Sequence, residues 1–413
     1  MNVEERFREI AGTHERCFWL DGGGGLDWSG RRSLIGWLDD SDVSLVAQGD
    51  TIHRLTGELA QPIDGDIFTA LERELENDGP DVHWVGFLGY DARRDLPARP
   101  HPTTPTAIWM RATNVEVFDH PLAGPPRSTT PDPATVATDP SYAAAFEAVQ
   151  EHLHAGNSYE VNLTYRQELE SDLDPVEAYL RLRELNPAPY AGYLQHGSVR
   201  LLSSSPERYA AIDRHRQLQT KPIKGTTPRG TTPDEDAALR ARLETDPKFR
   251  AENLMIVDLL RNDVAMVSEP GSVAVPSLMA VESYETVHQL VSTITGQLRE
   301  GVTTIGALRA LFPAGSMTGA PKLRTMEIID AVESTPRGAY AGAFGWISGD
   351  GRADLGVVIR SLVATRQESS WRYELGTGGG ITVHSEVAEE YAESRWKADR
   401  LLEVFRTPPA TSP

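Results

Sequence analysis

Towards the end of the sequence, Glu390, Glu393 and Lys397 stand at i, i+3 and i+7 of the segment EEYAESRWKADRLL, and helical spacing puts all three on one face, with Glu389 alongside. A solvated face laced by Glu-to-Lys pairs accounts for that spacing by itself. A second reading arises from Glu252, ahead of the apolar run in RAENLMIVDLLRND and expected in the first turn of another helix, where the dipole favours an anion. Carboxylates brought from two distant helices, with no His or Cys site in view, suit a hard, oxygen-seeking cation such as Mg2+. Such an ion keeps several waters and contacts a substrate anion.

Other side chains have matching chemistry. Lys221 and Lys224 lie in KPIKGT, between polar turns; a lysine there is a surface charge, or, in a desolvated and cation-rich pocket, a nucleophile. Glu207 follows Ser203-Ser204-Ser205-Pro206 and is a general acid if buried, a turn carboxylate if not. His288 in ETVHQLVS and Arg360 in VVIRSLV sit in apolar segments, where a buried polar head needs a partner or a ligand. Two glycine-bearing stretches offer backbone N–H groups to an anion. One is Gly376 to Gly380, after the strand WRYEL; the other runs from Pro313 to Lys322 and contains Ser316 before a helix start. Neither matches a dinucleotide or Walker fingerprint, and a tight turn or a capped loop explains each equally well.

These residues need a scaffold, and the 413-residue chain is long enough for two domains or one large, elaborated one. With 39% hydrophobic residues and a mean hydropathy of -0.37 it reads as a soluble globular protein. Its net charge of -20 repels polyanions, which argues against nucleic acid; a small anionic substrate would need local cations or a metal to bind. The single cysteine, Cys17, excludes internal disulfides and thiolate clusters. The start MNVEERFREI lacks a signal-peptide apolar region and no run of about 18 apolar residues occurs, so a cytoplasmic location is expected.

Short apolar stretches broken by turn signals between Cys17 and Tyr90 predict a sheet-rich region with one helix near Ile67 to Asn77. Helices are expected at Ser141 to His154, capped by Asp139, and at Pro175 to Leu185, Phe249 to Arg261, Thr304 to Phe312 and Lys322 to Val332. Extended segments are expected at Glu160 to Glu168, Arg200 to Ser204, Tyr340 to Ile347 and Val357 to Ala364, the last two flanking a Gly349-Asp350-Gly351 turn. The mixed order favours an α+β class over a steady βαβ alternation. The expected division is a sheet-rich region at 1–118, a Pro/Thr-rich linker at 119–139, a catalytic region at 140–406 and a frayed tail at 407–413.

Taken in order from about Tyr142 to Val404, the segments GNSYEVNLTYR, SSSPERY, KPIKGTTPRG, AENLMIVDLLRND, ESYETVHQLVS, FPAGSMTGAPKLRTMEIID, RGAYAGAFGWIS, DLGVVIRSL, GTGGGI and EEYAESRWKADRLL resemble the chorismate-utilising enzymes. FWLD, WSGRRSLIGW and VGFLGYD are similar to the amino-terminal part of the amine-forming members. The resemblance implies an anthranilate synthase component I-like four-layer αββα sandwich whose amino- and carboxy-terminal segments wrap one another. It implies Glu252 and Glu393 as Mg2+ carboxylates with Glu390 beside them, and Glu207 as general acid. Arg360 and Tyr340 would take the enolpyruvyl carboxylate, with further substrate contacts from Thr226, His288, Ser316, Lys397 and the backbone at Gly378 and Gly379.

The resemblance also points to a branch. Anthranilate-forming relatives typically carry alanine where this chain has Lys224, whereas PIKGT is similar to the aminodeoxychorismate branch, which leads to 4-aminobenzoate and folate. There the lysine amine adds at ring C2 as the 4-hydroxyl leaves, and ammonia enters at C4 and expels it. Isochorismate- and salicylate-forming relatives place a lysine base near YEVNLTYR, where this chain has Glu160 in place of the Gln common in amine-forming members. Phe249 is a second departure, standing where many relatives carry an acidic or small polar residue. Cys17 lacks the glycine-flanked nucleophile loop of a glutaminase, so a glutamine amidotransferase subunit is the expected ammonia source. Anthranilate synthesis and a non-catalytic subunit binding chorismate or an aromatic amino acid remain open alternatives; Trp19, Trp28, Trp37 and Trp84 would line such a pocket or belong to the core.

Overall fold

The computed structural model describes residues 2–22, 32–57, 59–120 and 136–406. Most of the linker expectation, the tail and Trp28 therefore lie outside the described residues. Within them the strands form two large antiparallel sheets. Nine strands make one, in the order Gly319–Ala320, Glu160–Ser171, Trp371–Ile381, Ser361–Arg366, Val199–Ser205, Tyr190–His196, Arg16–Asp21, Arg32–Trp37 and Asn114–Asp119. The other has twelve: Ile223–Pro228, Val287–Gln297, Gln217–Lys221, Arg208–Ile212, Ala353–Val357, Ala343–Ser348, His83–Leu88, Ala107–Ala112, Val43–Gln48, Thr51–Thr56 and Leu59–Ile63, with Ala274–Ser283 added alongside Val287–Gln297.

Period-two alternation decides how the sheets stack. In Arg16–Asp21, Phe18 points to one face, where it joins Leu194, Leu201 and Val363 against Val85, Phe87, Ile108 and Phe344 of the other sheet. Its neighbours Cys17 and Trp19 point to the opposite face, under Phe7 and Ile10 of the helix Val3–Thr13 and Tyr179 and Leu182 of Pro175–Leu185. Similarly Trp84 turns away from Val85 and packs with Ile67–Glu76, Pro247–Ala265 and Thr304–Leu311. Three apolar layers thus lie between helices, sheet, sheet and helices, the αββα order. Trp19 and Trp84 are fully buried within it, and Trp37 is partly buried at its margin.

The first region does not form a core of its own. Arg16–Asp21 pairs with Tyr190–His196 in one sheet and His83–Leu88 with Ala343–Ser348 in the other, so strands from both sides of the Pro/Thr-rich stretch share both sheets. Several local expectations are refined by packing. The helix over RAENLMIVDLLRND starts earlier, at Pro247 behind the cap Asp246, which places Glu252 in the second turn. The stretch Val357 to Ala364 is not one strand: it breaks between Ala353–Val357 and Ser361–Arg366, where Arg360 adopts φ of 49°. The polar segment Pro233–Thr245 is a helix that its sequence did not advertise, because it buries only Leu243 and shows no apolar stripe.

Candidate active site

Where the two sheets meet lies a cleft of about 980 Å3, counting its open mouth. Glu207, Lys224, Thr226, Glu252, Ser316, Tyr340, Arg360, Gly376 to Gly380, Glu390, Glu393 and Lys397 all line it, whereas Lys221, His288, Lys322 and Glu389 do not. The glycine run supplies one wall. Gly376 to Gly380 continue the strand Trp371–Ile381 and pair with Glu160–Ser171, but pairing to Ser361–Arg366 stops at Leu375, so beyond that residue the strand has an open edge. The Gly378 carbonyl on that edge accepts from Lys397 Nζ at 3.2 Å. The run is therefore a strand edge, not a free loop, and glycine is required by close approach: a Cβ at Gly376 would meet the Tyr340 ring at 2.2 Å, and one at Gly380 would meet Glu160 Oε1 at 2.0 Å.

Glu207 enters from the end of Val199–Ser205, buried behind Pro206. Ser316, in the short turn Gly315–Met317, donates from Oγ to Glu207 Oε1 at 2.5 Å. Burial pushes the Glu207 carboxyl up to about 7, against the pull of the Ser316 hydrogen bond, Lys224 and Arg360. A carboxyl so placed holds a proton near neutral pH and can deliver it. Arg360 reaches the cleft from its left-handed backbone position, a conformation costly for a non-glycine residue. Among the described residues no hydrogen-bond acceptor or carboxylate partner holds its guanidinium; burial and Arg400 lower its pKa to about 10, so it stays a cation able to meet an anion.

Lys224 is brought in by Ile223–Pro228, whose register to Val287–Gln297 shifts between Ile223 and Thr226 at Gly225, φ 95°. Its Nζ donates to Glu160 Oε1 in a buried ion pair. Burial alone would lower the lysine pKa, but Glu160, then Glu252 and Glu207, outweigh it and the net shift is upward. The opposite wall carries Glu390, which accepts from Lys248 Nζ and Ser385 Oγ, both at 2.8 Å, and half-buried Glu393, paired with Lys397 at 2.8 Å. Lys397 holds the Glu393 carboxyl below its ordinary value.

Glu252 differs from both. Its Oε1 is buried without a hydrogen-bond partner, and burial drives its carboxyl up to about 7, with Lys224 and Lys248 pulling it down and Glu160 and Glu390 pushing it up. Among the described residues no group of three His, Cys, Asp or Glu side chains is arranged to hold a metal. An unsatisfied buried carboxylate facing Glu390 and Glu393 across one cleft nevertheless fits a hard divalent cation that takes few protein ligands and keeps its waters.

Three expectations change. His288 does not reach the cleft: its Nε2 bonds Asp236 Oδ1 at 3.0 Å and its Nδ1 bonds Ser283 Oγ at 2.8 Å, while the next residue, Gln289, lines the cleft because alternate strand residues face opposite ways. Lys221 is paired with Glu282 at 2.7 Å. Lys322 is taken up by Asp263 and the carbonyls of Leu311 and Pro313, so it pins the Ser316 loop in place. No sequence signal marks Gln289, whose amide oxygen and nitrogen are both buried without partners, or Asn162 and Lys248 on the cleft wall. All three lie in segments of known period, but only strand register and helix packing tell which face is the wet one.

A family model described as chorismate binding enzyme matches residues 15–403. The aminodeoxychorismate synthase component 1 of Klebsiella aerogenes is 37% identical, with 87% of each chain covered. An aminodeoxychorismate synthase of Streptomyces griseus is 38% identical over 98% of this chain, which spans 63% of that longer protein; a second, from Streptomyces pristinaespiralis, is 46% identical over 68% of this chain, which spans 40% of it. Among solved structures, anthranilate synthase component I from Streptococcus pneumoniae TIGR4 superposes with a TM-score of 0.74 at 25% identity, covering 91% of this chain and 93% of that one.

Proposed function

The chain belongs to the chorismate-binding enzyme family, and from that premise we propose that it replaces the 4-hydroxyl of chorismate with ammonia to give 4-amino-4-deoxychorismate. The observation that carries this reading is Lys224, buried inside the cleft within a set that includes Glu207, whose carboxyl burial pushes up to about 7. Chorismate is a dianion, and in a protein of net charge -20 the cations of the cleft must attract it: Arg360, with Tyr340, binds the enolpyruvyl carboxylate, and Lys397 lies at the glycine edge. Glu207 protonates the departing hydroxyl while the Lys224 amine adds at C2; ammonia then enters at C4 and the lysine leaves. Glu252 and Glu393, with Glu390 beside them, would hold Mg2+, which when bound draws electrons from the ring through its carboxylate.

The ammonia comes from a glutamine amidotransferase subunit. Cys17 does not serve as that nucleophile, because it is fully buried among apolar residues and burial pushes its thiol up to about 12. Among the described residues no helix is long and apolar enough to cross a membrane.

The test is mass-resolved chromatography of products from the purified chain with chorismate, Mg2+ and ammonium, with and without EDTA. The expected product is an amino acid that keeps its enolpyruvyl group, is lost on chelation, and yields 4-aminobenzoate only when a lyase is added. Fluorescent anthranilate would instead place amination at C2, the activity named for the Streptococcus pneumoniae structure, and no consumption of chorismate would point to a binding subunit.

A further inference from the structure

A lysine that attacks carbon must first be a free amine, and Lys224 is held as an ammonium. Nζ is in direct contact with one carboxylate, Glu160, which arrives from the nine-stranded sheet while Lys224 arrives from the twelve-stranded one. Glu160 is completely buried, its Oε1 receives the lysine proton donor, and its Oε2 has no partner among the described residues. Only glycine at 380 leaves room for this pair, since a Cβ there would lie 2.0 Å from Glu160 Oε1 and 3.0 Å from Lys224 Nζ.

The other charged groups facing Lys224 are Glu207, Glu252 and Glu393. Two of them are otherwise engaged, and the third does not bond the lysine. Glu207 must keep its proton for the leaving hydroxyl and is held by Ser316; Glu393 is held by Lys397; Glu252 makes no hydrogen bond to the lysine. Bulk water has little access, because Lys224 is only 8% exposed.

We propose that Glu160 is the proton acceptor for Lys224, taking its proton before attack and returning it when the lysine leaves. This rests on the covalent reading above. In the first half the Lys224 ammonium gives a proton to the Glu160 carboxylate, and the neutral amine forms the Nζ–C2 bond. The two ring double bonds shift, the C4–O bond breaks, and the hydroxide leaves as water with the proton of Glu207. In the second half ammonia forms the C4–N bond, the double bonds shift back and the Nζ–C2 bond breaks. The freed amine recovers its proton from Glu160, and Glu207 recovers one from the new C4 ammonium, so chorismate and ammonia give the amine and water.

The experiment follows the Lys224 adduct by intact-protein mass after mixing the full chain with chorismate and Mg2+ without ammonia, from pH 6.5 to 9.5. Glu160→Gln is expected to slow adduct formation by about 10-fold or more near pH 7.5, with the deficit shrinking as pH rises and hydroxide removes the proton instead. Because Glu160 is buried, Glu160→Ala is run in parallel with added formate, which is expected to restore part of the rate by supplying a carboxylate in the space left. Whichever variant keeps cooperative thermal unfolding decides. A folded variant that forms the adduct at the wild-type rate and with the wild-type pH profile overturns the role of Glu160 and leaves the covalent reading intact. No wild-type adduct, together with undiminished turnover by Lys224→Ala, overturns the covalent reading itself and this role with it.

Discussion

Of the clusters of buried charge among the described residues, two have their carboxylates held in opposite ways. In the first, Glu333 is saturated: its Oε1 accepts from Thr164 N at 2.9 Å, Thr164 Oγ at 2.8 Å and Arg337 Nη2 at 2.6 Å, and its Oε2 accepts from Arg166 at 3.1 Å and Arg337 Nε at 3.0 Å. Burial raises that carboxyl, but Arg337 and Arg166 outweigh it and the net shift is downward. Arg337 also ties together the Met317 and Asn162 carbonyls, and Arg166, whose Nε and Nη1 are buried without a hydrogen-bond partner, lies over the Tyr340 ring at 4.8 Å, so it is the Glu333 carboxylate that is saturated. In the second cluster, in the cleft and just behind its wall, Glu207 and Glu252 both rise to about 7, and Glu160, Glu252 and Gln289 keep buried polar atoms with no partner. A buried charge that is fully bonded fixes structure. One left short of partners costs stability and gains meaning only when a ligand completes it.

The largest effect of substitution is expected at the reactive cluster. Lys224→Ala should lower aminodeoxychorismate formation by about 1000-fold or more, the effect of deleting a nucleophile, read by product chromatography with ammonium as donor; an undiminished rate would sink the covalent reading. Glu207→Gln should lower the rate by about 100-fold to 10,000-fold while leaving the melting temperature near or above that of the wild type. Glu333→Gln should do the reverse, costing about 3–5 kcal/mol in urea unfolding because it strands Arg166 and Arg337.

The two clusters also predict opposite pH dependences. Glu207 has a folded pKa near 7, above its ordinary 4.5, so between those values the folded chain binds a proton that the unfolded chain has lost. Its contribution to stability is therefore full below about 4.5 and is lost as pH rises to 7, and Glu207→Gln should flatten that slope. Glu333, with a lowered folded pKa, contributes stability above its ordinary value that is lost as pH falls through the folded one, so Glu333→Gln should flatten the acid limb instead. The smallest effect is expected at His288, outside the cleft: His288→Ala should cost about 1–3 kcal/mol by leaving Asp236 and Ser283 short of a partner, with KM for chorismate unchanged.

Much of this was legible in the residues. The helical spacing of Glu390, Glu393 and Lys397 needs only 3.6 residues per turn to place them on one face, and the segment order from GNSYEVNLTYR to EEYAESRWKADRLL carried the family and, with it, the two-sheet sandwich. Local signals such as Asp139 before Pro140 fixed helix starts, because a cap acts through its own three neighbours. That strands from both sides of the Pro/Thr-rich stretch share the same sheets was not legible, since pairing Arg16–Asp21 with Tyr190–His196 joins residues more than 150 positions apart and no local rule reports it.

What the sequence determined by itself is the inventory: which acids, bases and glycines exist, on which elements, and in which family pattern. Which of these residues meet depends on the packing of the two sheets. His288 and Gln289 are equivalent in composition-level reasoning, yet strand register sends one to Asp236 and the other to the cleft. Glu160 and Lys224 are 64 positions apart on different sheets and become a single proton-sharing unit only because the register slip at Gly225 and the missing side chain at Gly380 let the sheets close over them. Burial likewise decides the chemistry of Glu207, whose carboxyl is pushed from its ordinary 4.5 up to about 7 once its hydration is taken away.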